Sequence, residues 1–61
     1  MDRYFVTHCS KGGKAYRFGT IAEDPAEAED RARMNARRAG MNIDGLPAYT
    51  EEITEKEYNE L

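Results

Sequence analysis

The sequence predicts an α+β fold, a small ββαβ unit whose antiparallel sheet carries one helix on one face and ends in a short C-terminal helical turn. Three observations predict it. Paired glycines interrupt a run of aromatic and β-branched residues, which is typical of a β-hairpin. A capped helical segment follows, and an alternating segment then provides a third strand. With 61 residues the chain forms one domain, 1–61, whose own core is marginal.

The hairpin is predicted to have strands at Arg3–Cys9 and Ala15–Ile21, joined by a turn centred on Gly12-Gly13. Glycine adopts the positive φ angles that a tight turn needs. This turn sets the facing pairs as Cys9 with Tyr16, Thr7 with Phe18, and Phe5 with Thr20. One face of the hairpin then carries Phe5, Thr7, Cys9, Tyr16 and Phe18, and the other carries Tyr4, Val6, His8, Arg17 and Ile21.

The main helix is predicted to run from Pro25 to about Ala39. Asp24 is a good capping residue, Pro25 suits the first helical position, and Glu27 completes a capping box. Gly40 is the expected stop. The stripe expected to face the sheet contains no large residue and consists of Ala28, Ala32, Ala36 and Ala39.

The remaining chain is predicted to complete the sheet and to end in a helical turn. Met41–Ile43 is expected to be a short extended piece, and Asp44-Gly45 a turn. The alternating segment Ala48–Ile53 is the third strand. Thr54-Glu55-Lys56-Glu57 is a second capping box, which opens a terminal helix through Tyr58 to Leu61.

Residues that are able to carry catalysis are scarce. His8 and Cys9 are adjacent on a strand, so their side chains point to opposite faces and cannot act together on one substrate or one metal ion. Cys9 is expected to be a small core residue and His8 a half-exposed one. The acidic pairs, such as Glu51-Glu52, lie on polar stretches without the enclosed pocket that acid–base catalysis needs. We therefore expect no catalytic residue, no metal site, no cofactor and no enzyme activity.

Charge is distributed unevenly along the chain, whose net charge is −3. The hairpin half is basic and the last eleven residues are strongly acidic. The arginines of the helix favour an alternative function, a small dimeric nucleic-acid-binding regulator, although acids share that helix. A lone cysteine, no long apolar run and no signal-peptide pattern at the start of the chain lead us to expect a cytoplasmic protein without a membrane contact.

Both faces of the predicted hairpin carry apolar groups, but a single helix covers only one face. The other face is expected to expose either Phe5 and Phe18, or Tyr4, Val6 and Ile21. Exposed patches of this kind usually mark an interface. We therefore expect a homodimer or an obligate partner.

The sequence favours a non-enzymatic protein-binding module, because protein partners prefer aromatic and arginine anchors. Such groups lie on the hairpin, the helix and the third strand. The candidate partner-binding residues are Tyr4, His8, Arg17, Arg33, Arg37, Arg38, Tyr49, Glu51 and Glu52.

The chain ends in Ile53-Thr54-Glu55-Lys56-Glu57-Tyr58-Asn59-Glu60-Leu61. In this ending, in its size and in its ββαβ arrangement it resembles short accessory proteins of bacteriophages and mobile elements, among them inhibitors of host defences such as anti-CRISPR proteins. The resemblance is one of general character over the whole chain, and it carries over no binding residues. It implies a stoichiometric inhibitor of a larger host protein or complex.

Overall fold

The computed structural model describes residues 2–61 and shows an α+β fold, as the sequence predicts. A three-stranded antiparallel sheet has the order β2-β1-β3, so β1 is the central strand. The elements are β1 (Arg3–Lys11), β2 (Lys14–Ala22), α1 (Pro25–Arg38), β3 (Ala48–Ile53) and α2 (Glu55–Asn59).

The hairpin register follows from the two glycines. Gly12 and Gly13 have φ angles of 59° and 80°, so they form a two-residue turn whose twist matches that of the flanking strands. All three predicted facing pairs are confirmed. The strands are longer than predicted because pairing continues up to Lys11 and Lys14, directly beside the turn.

The helix α1 begins and ends at capping interactions within its own sequence. Asp24 Oδ1 accepts a hydrogen bond from the Glu27 N–H at 2.8 Å. Glu27 reaches back to the N–H of Glu23, one residue before the cap, at 3.1 Å. At the other end Gly40 has a φ of 84°, and the N–H groups of Gly40 and Met41 bond to the carbonyls of Arg37 and Ala36. This is a Schellman motif, which explains why the helix stops where glycine predicts.

Small side chains let α1 lie close on one face of the sheet. Ala28, Ala32 and Ala36 are completely buried. The prediction that Ala39 belongs to this buried stripe is wrong. Ala39 is exposed because it is the C-cap residue, where the chain leaves the helix and turns away.

The loop between α1 and β3 supplies the largest buried side chain after Phe5. The predicted extended piece Met41–Ile43 forms no strand, and these residues lie in the loop between α1 and β3. The Ile43 carbonyl accepts a hydrogen bond from Arg33 Nη1 at 2.7 Å, so the loop backbone is bonded to the helix and not to a strand. The Ile43 side chain is fully buried in a cluster with Cys9 and Ala36.

The short helix α2 lies against the sheet face opposite α1. Its predicted capping box is confirmed, with Thr54 and Glu57 bonding to each other's backbone N–H. Tyr58 contacts Tyr4 with ring centroids 5.2 Å apart. Val6 on this face is only 4% exposed, so the expectation that the second face exposes Val6 is wrong. α2 shelters one half of this face and leaves the half near the hairpin turn open.

Candidate interaction surface

Arg17, His8 and Tyr49 form a single row across the open half of the second sheet face. His8 in the central strand is the register partner of Arg17 in β2 and of Tyr49 in β3. Residues directly opposite each other in antiparallel strands project to the same side of the sheet. The three side chains therefore point away from α1, and we call them the open row.

The tyrosine of the open row is exposed but held in place. Tyr49 is 64% exposed. Its ring stacks on the His8 ring, with centroids 6.1 Å apart and planes inclined by 21°. His8 Nε2 in turn donates to Glu51 Oε2 at 3.1 Å, and Glu51 projects from the same face beside Val6. Contacts of this kind restrict the Tyr49 ring before binding, so the ring loses less conformational entropy when a partner binds.

Two shallow grooves flank the open row. One, of about 490 Å³, lies toward the hairpin turn and includes Ala15, Tyr16, Pro47 and Ala48 in its lining. The other, of about 270 Å³, lies toward α2 and includes Val6, Ile53, Glu57, Glu60 and Leu61. His8 and Arg17 line both grooves. The row is thus a ridge with a more apolar hollow on one side and an acidic one on the other.

Tyr4 shares this face but lies under α2. Its hydroxyl donates to Glu55 Oε2 at 2.8 Å, and its ring contacts Tyr58. The hydrogen bond to the Glu55 carboxylate, with some help from desolvation, raises the pKa of Tyr4 because it favours the protonated phenol. Tyr4 is therefore a half-buried anchor for the terminal helix, and the structure does not bring it into the open row.

Glu52 lies on the other face of the sheet, where it is opposite Phe5. Arg3 holds its carboxylate with two hydrogen bonds, from Nε at 3.1 Å and from Nη2 at 2.8 Å. This bidentate contact lowers the pKa of Glu52 and raises that of Arg3. Glu52 is thus separated from Glu51, although the two are neighbours in sequence.

The candidate arginines of α1 lie in a second region and are mostly engaged. Arg33 donates to the Ile43 and Leu46 carbonyls and so fastens the following loop. Arg37 pairs with Asp44 in the same loop. Arg38 has no hydrogen bond or salt bridge from its side chain to residues 2–61, and it lies beside β2. The nine candidate residues therefore fall into separate places, of which only the open row with Glu51 gathers several.

His8 and Cys9 are positioned as their alternation predicts. Cys9 is 5% exposed and packs in the core, whereas His8 projects half-exposed from the opposite face. Across residues 2–61, no cluster of three or more His, Cys, Asp or Glu side chains is arranged to hold a metal ion. Over the same residues, no helix has both the length and the apolar character that crossing a membrane requires.

The chain matches no family model, no curated protein and no solved structure.

Met34 is an exposed apolar side chain that the sequence interpretation missed. It is 51% exposed and lines a groove between α1 and β2. Arg31, Met34, Asn35 and Arg38 follow the three- and four-residue spacing of one helix face. That spacing is a sequence signal that identifies a second stripe beside the alanines.

Proposed function

We propose that this protein is a non-enzymatic module that binds a larger protein through the open row. The observation that carries the proposal is Tyr49, a tyrosine that is 64% exposed and whose ring stacks on that of His8. Tyrosine and arginine are the residue types most enriched among those that dominate binding energy. A tyrosine ordered in advance contributes contact area at a small entropic cost.

The charges around the row indicate the chemistry of the partner. Arg17 makes no salt bridge within the part of the chain that the structure describes, and it is exposed. A partner carboxylate beside Arg17 would gain a bidentate contact. The groove next to Tyr49 is lined by Ala15, Pro47 and Ala48 and suits an apolar side chain. We infer a partner surface with an apolar projection next to an acidic group.

Binding of this kind is sufficient for a stoichiometric inhibitor, because such an inhibitor acts by covering a functional surface of a larger protein. A chain of 61 residues is large enough to cover one such patch. We propose inhibition by occlusion as the biological role. In this role the open row is the contact surface and no chemical step takes place.

A partner captured from lysate with the wild-type protein provides the reagent for the test. The purified partner is then titrated with Tyr49→Ala and with Lys56→Ala, which removes a long exposed side chain from α2 outside the grooves that flank the row. We expect Tyr49→Ala to weaken binding by about 2 kcal/mol or more, as for a central anchor. Lys56→Ala is expected to leave binding nearly unchanged. Loss of binding with Lys56→Ala alone would overturn the surface assignment.

A functional assay tests the inhibition itself. The activity of the captured partner is measured against increasing amounts of the wild-type protein. Inhibition that saturates at a fixed molar ratio supports occlusion. If the partner keeps its full activity in a saturated complex, the protein is not an inhibitor of that partner. It would then be a binding module with no inhibitory role.

The nucleic-acid alternative has less support from the geometry. Arg31, Arg33 and Arg37 already bond to carbonyls or carboxylates of the chain itself. Phosphate binding weakens steeply with salt, because each neutralised phosphate releases counterions. Titration of random duplex DNA and RNA across a salt series separates the two functions. Tight binding with a steep salt slope favours the nucleic-acid function over the protein-binding one.

The homodimer remains a prediction. The homodimer was expected because one apolar face of the sheet would be uncovered. Val6 on that face is buried because α2 covers it, so this argument for a homodimer is weaker. Sedimentation equilibrium at high micromolar concentration measures the state directly. A monomer under these conditions contradicts the homodimer and leaves the open row available to a different protein.

A further inference from the structure

The outer edge of β2 carries backbone groups that point away from the sheet. Arg31 Nη1 on α1 donates to the Ile21 carbonyl at 2.6 Å, so this carbonyl faces away from β1. In an antiparallel strand, alternate residues bond to the same neighbour and the residues between them face the other way. The N–H and C=O groups of Gly19 and Arg17 therefore face outward with Ile21, and β2 is an edge strand. Such an edge is a template for another strand.

A groove of about 360 Å³ follows this edge between the two helices. Gly19, Thr20 and Ile21 form part of its lining from the strand. Thr20 is only 3% exposed, and its hydroxyl has no hydrogen-bond partner within residues 2–61. The helices contribute Arg31, Met34, Asn35, Arg38 and Tyr58. The groove thus combines an open strand edge with apolar and polar side-chain walls.

The charge along this edge is positive although the whole chain is acidic. Arg31 and Arg38 are the charged residues that line the groove, and Lys14 and Arg17 lie farther along β2. Lys14, Arg17 and Arg38 have no salt-bridge partner among residues 2–61. Glu27 pairs with Arg31 and offsets its charge, and Asp30 on α1 is not part of the groove lining, so the unpaired charge along this edge is that of Arg38, Arg17 and Lys14. An acidic ligand is therefore the complementary one.

We propose that the free edge of β2 binds an extended acidic segment of a partner protein as a fourth strand of the sheet. The segment's backbone bonds to the outward N–H and C=O groups of Arg17 and Gly19, in the manner of β-strand addition. Its side chains alternate between the α1 side and the α2 side. Acidic side chains on the first side meet Arg38, and apolar ones on the second contact Tyr58. This surface goes beyond the open row, with which it shares only Arg17 on β2.

The first test uses a fluorescein-labelled ten-residue peptide of alternating Glu and Val, with blocked ends, in low-salt anisotropy titrations. We expect Arg38→Glu to weaken its binding by about tenfold or more, because a like charge then faces the acids. Lys56→Glu is the matched control, with the same charge change on α2 away from the groove lining. No binding to the wild-type protein, or equal losses in the two variants, overturns the proposal.

The second test distinguishes strand addition from attraction of any polyanion. Two isomers of the peptide are N-methylated at alternate residues. In one isomer the methyl groups block the N–H groups on one edge of the extended chain, and in the other isomer they block those on the opposite edge. Only one edge faces β2, so one isomer should bind and the other should not. The amide protons of Arg17 and Gly19 should also gain protection from hydrogen exchange on binding. Equal affinity of both isomers, without added protection, overturns the proposal.

Tyr49→Ala separates this inference from the proposed function. The variant is expected to retain its affinity for the peptide, since Tyr49 is on the opposite edge strand. If the peptide does not bind to the wild-type protein but Tyr49→Ala still weakens binding of the captured partner, only the strand-edge inference is wrong. If the peptide binds but Tyr49→Ala does not weaken binding of the captured partner, the strand-edge inference is supported. The open row is then not the binding surface for that partner.

Discussion

Leu61 lies directly over Gly19, so closely that a β-carbon at position 19 would come within 2.6 Å of Leu61 Cδ1. The same atom would lie 3.1 Å from the nearest carbon of the Tyr58 ring. Gly19 is the register partner of Val6, which is buried on this face. Because Gly19 has no side chain, Tyr58 and Leu61 can pack over the second face of the sheet at this position.

Gly19→Ala is expected to loosen the C-terminal segment. The Leu61 side chain can shift because it is 49% exposed, but the Tyr58 ring packs against Tyr4. We expect the free energy of unfolding to fall by about 1 kcal/mol, as for modest overpacking. Urea denaturation measures it. In a Leu61→Ala background the added cost of Gly19→Ala should be smaller, and an equal cost in both backgrounds would contradict the contact.

Thr7, which is buried, and Thr50, which is half-buried, form a polar pair under α1. Thr7 is fully buried, and the two hydroxyl oxygens are 2.8 Å apart. Thr7→Val preserves shape but leaves the Thr50 hydroxyl without this partner, so we expect a loss of roughly 1–2 kcal/mol in unfolding free energy. The double variant Thr7→Val/Thr50→Val should recover part of it, because no unpaired hydroxyl then remains. A double variant less stable than either single variant would show that the pair is not coupled in this way.

The alanine stripe allows a test with a matched control on the same helix. Ala32 is fully buried against the sheet, whereas Ala39 is exposed at the C-cap. Ala32→Leu inserts a large side chain where there is no room, so we expect a loss of about 1–3 kcal/mol or more in thermal or urea unfolding. Ala39→Leu should change stability by less than about 0.5 kcal/mol. Equal effects would mean that α1 does not rest on the sheet through this stripe.

The features that the sequence predicted are those determined by nearby residues. Gly12-Gly13 determines the hairpin turn and therefore its register, and the capping residues Asp24 and Thr54 mark where the helices begin. Each of these depends on contacts within a few positions along the chain. The predicted opposite directions of His8 and Cys9 have the same origin, since strand side chains alternate.

The features that the sequence missed depend on contacts across the fold. Leu61 and Gly19 are far apart in sequence, and no periodic pattern of residues predicts their contact. Ile43 reaches the core from an irregular loop, where no period applies. The row of Arg17, His8 and Tyr49 requires the register of β3 against β1, which no tight turn sets. Glu51 and Glu52 are both candidates from the sequence, although the alternation of strand side chains alone places them on opposite faces.

The pair of Arg3 and Glu52 predicts a dependence of stability on pH. The hydrogen bonds from Arg3 lower the pKa of Glu52 below its ordinary value of 4.5. A carboxyl group whose pKa is lower in the folded state contributes stability above its unfolded pKa, and this contribution is lost as the pH falls through the folded pKa. The advantage of the wild type over Arg3→Gln should therefore shrink below about pH 4.5.

Chemical denaturation of both proteins from neutral pH downward measures this difference, and NMR titration of the Glu52 side-chain carbon should show a higher pKa in Arg3→Gln. Arg3 also donates to the Glu23 carbonyl at 2.7 Å, a contact that does not titrate in this range. A constant part of the difference should therefore persist in acid. High salt should weaken the titrating part, because both side chains are substantially exposed and ions screen them. An unchanged Glu52 pKa in the variant would show that the pair does not form in solution.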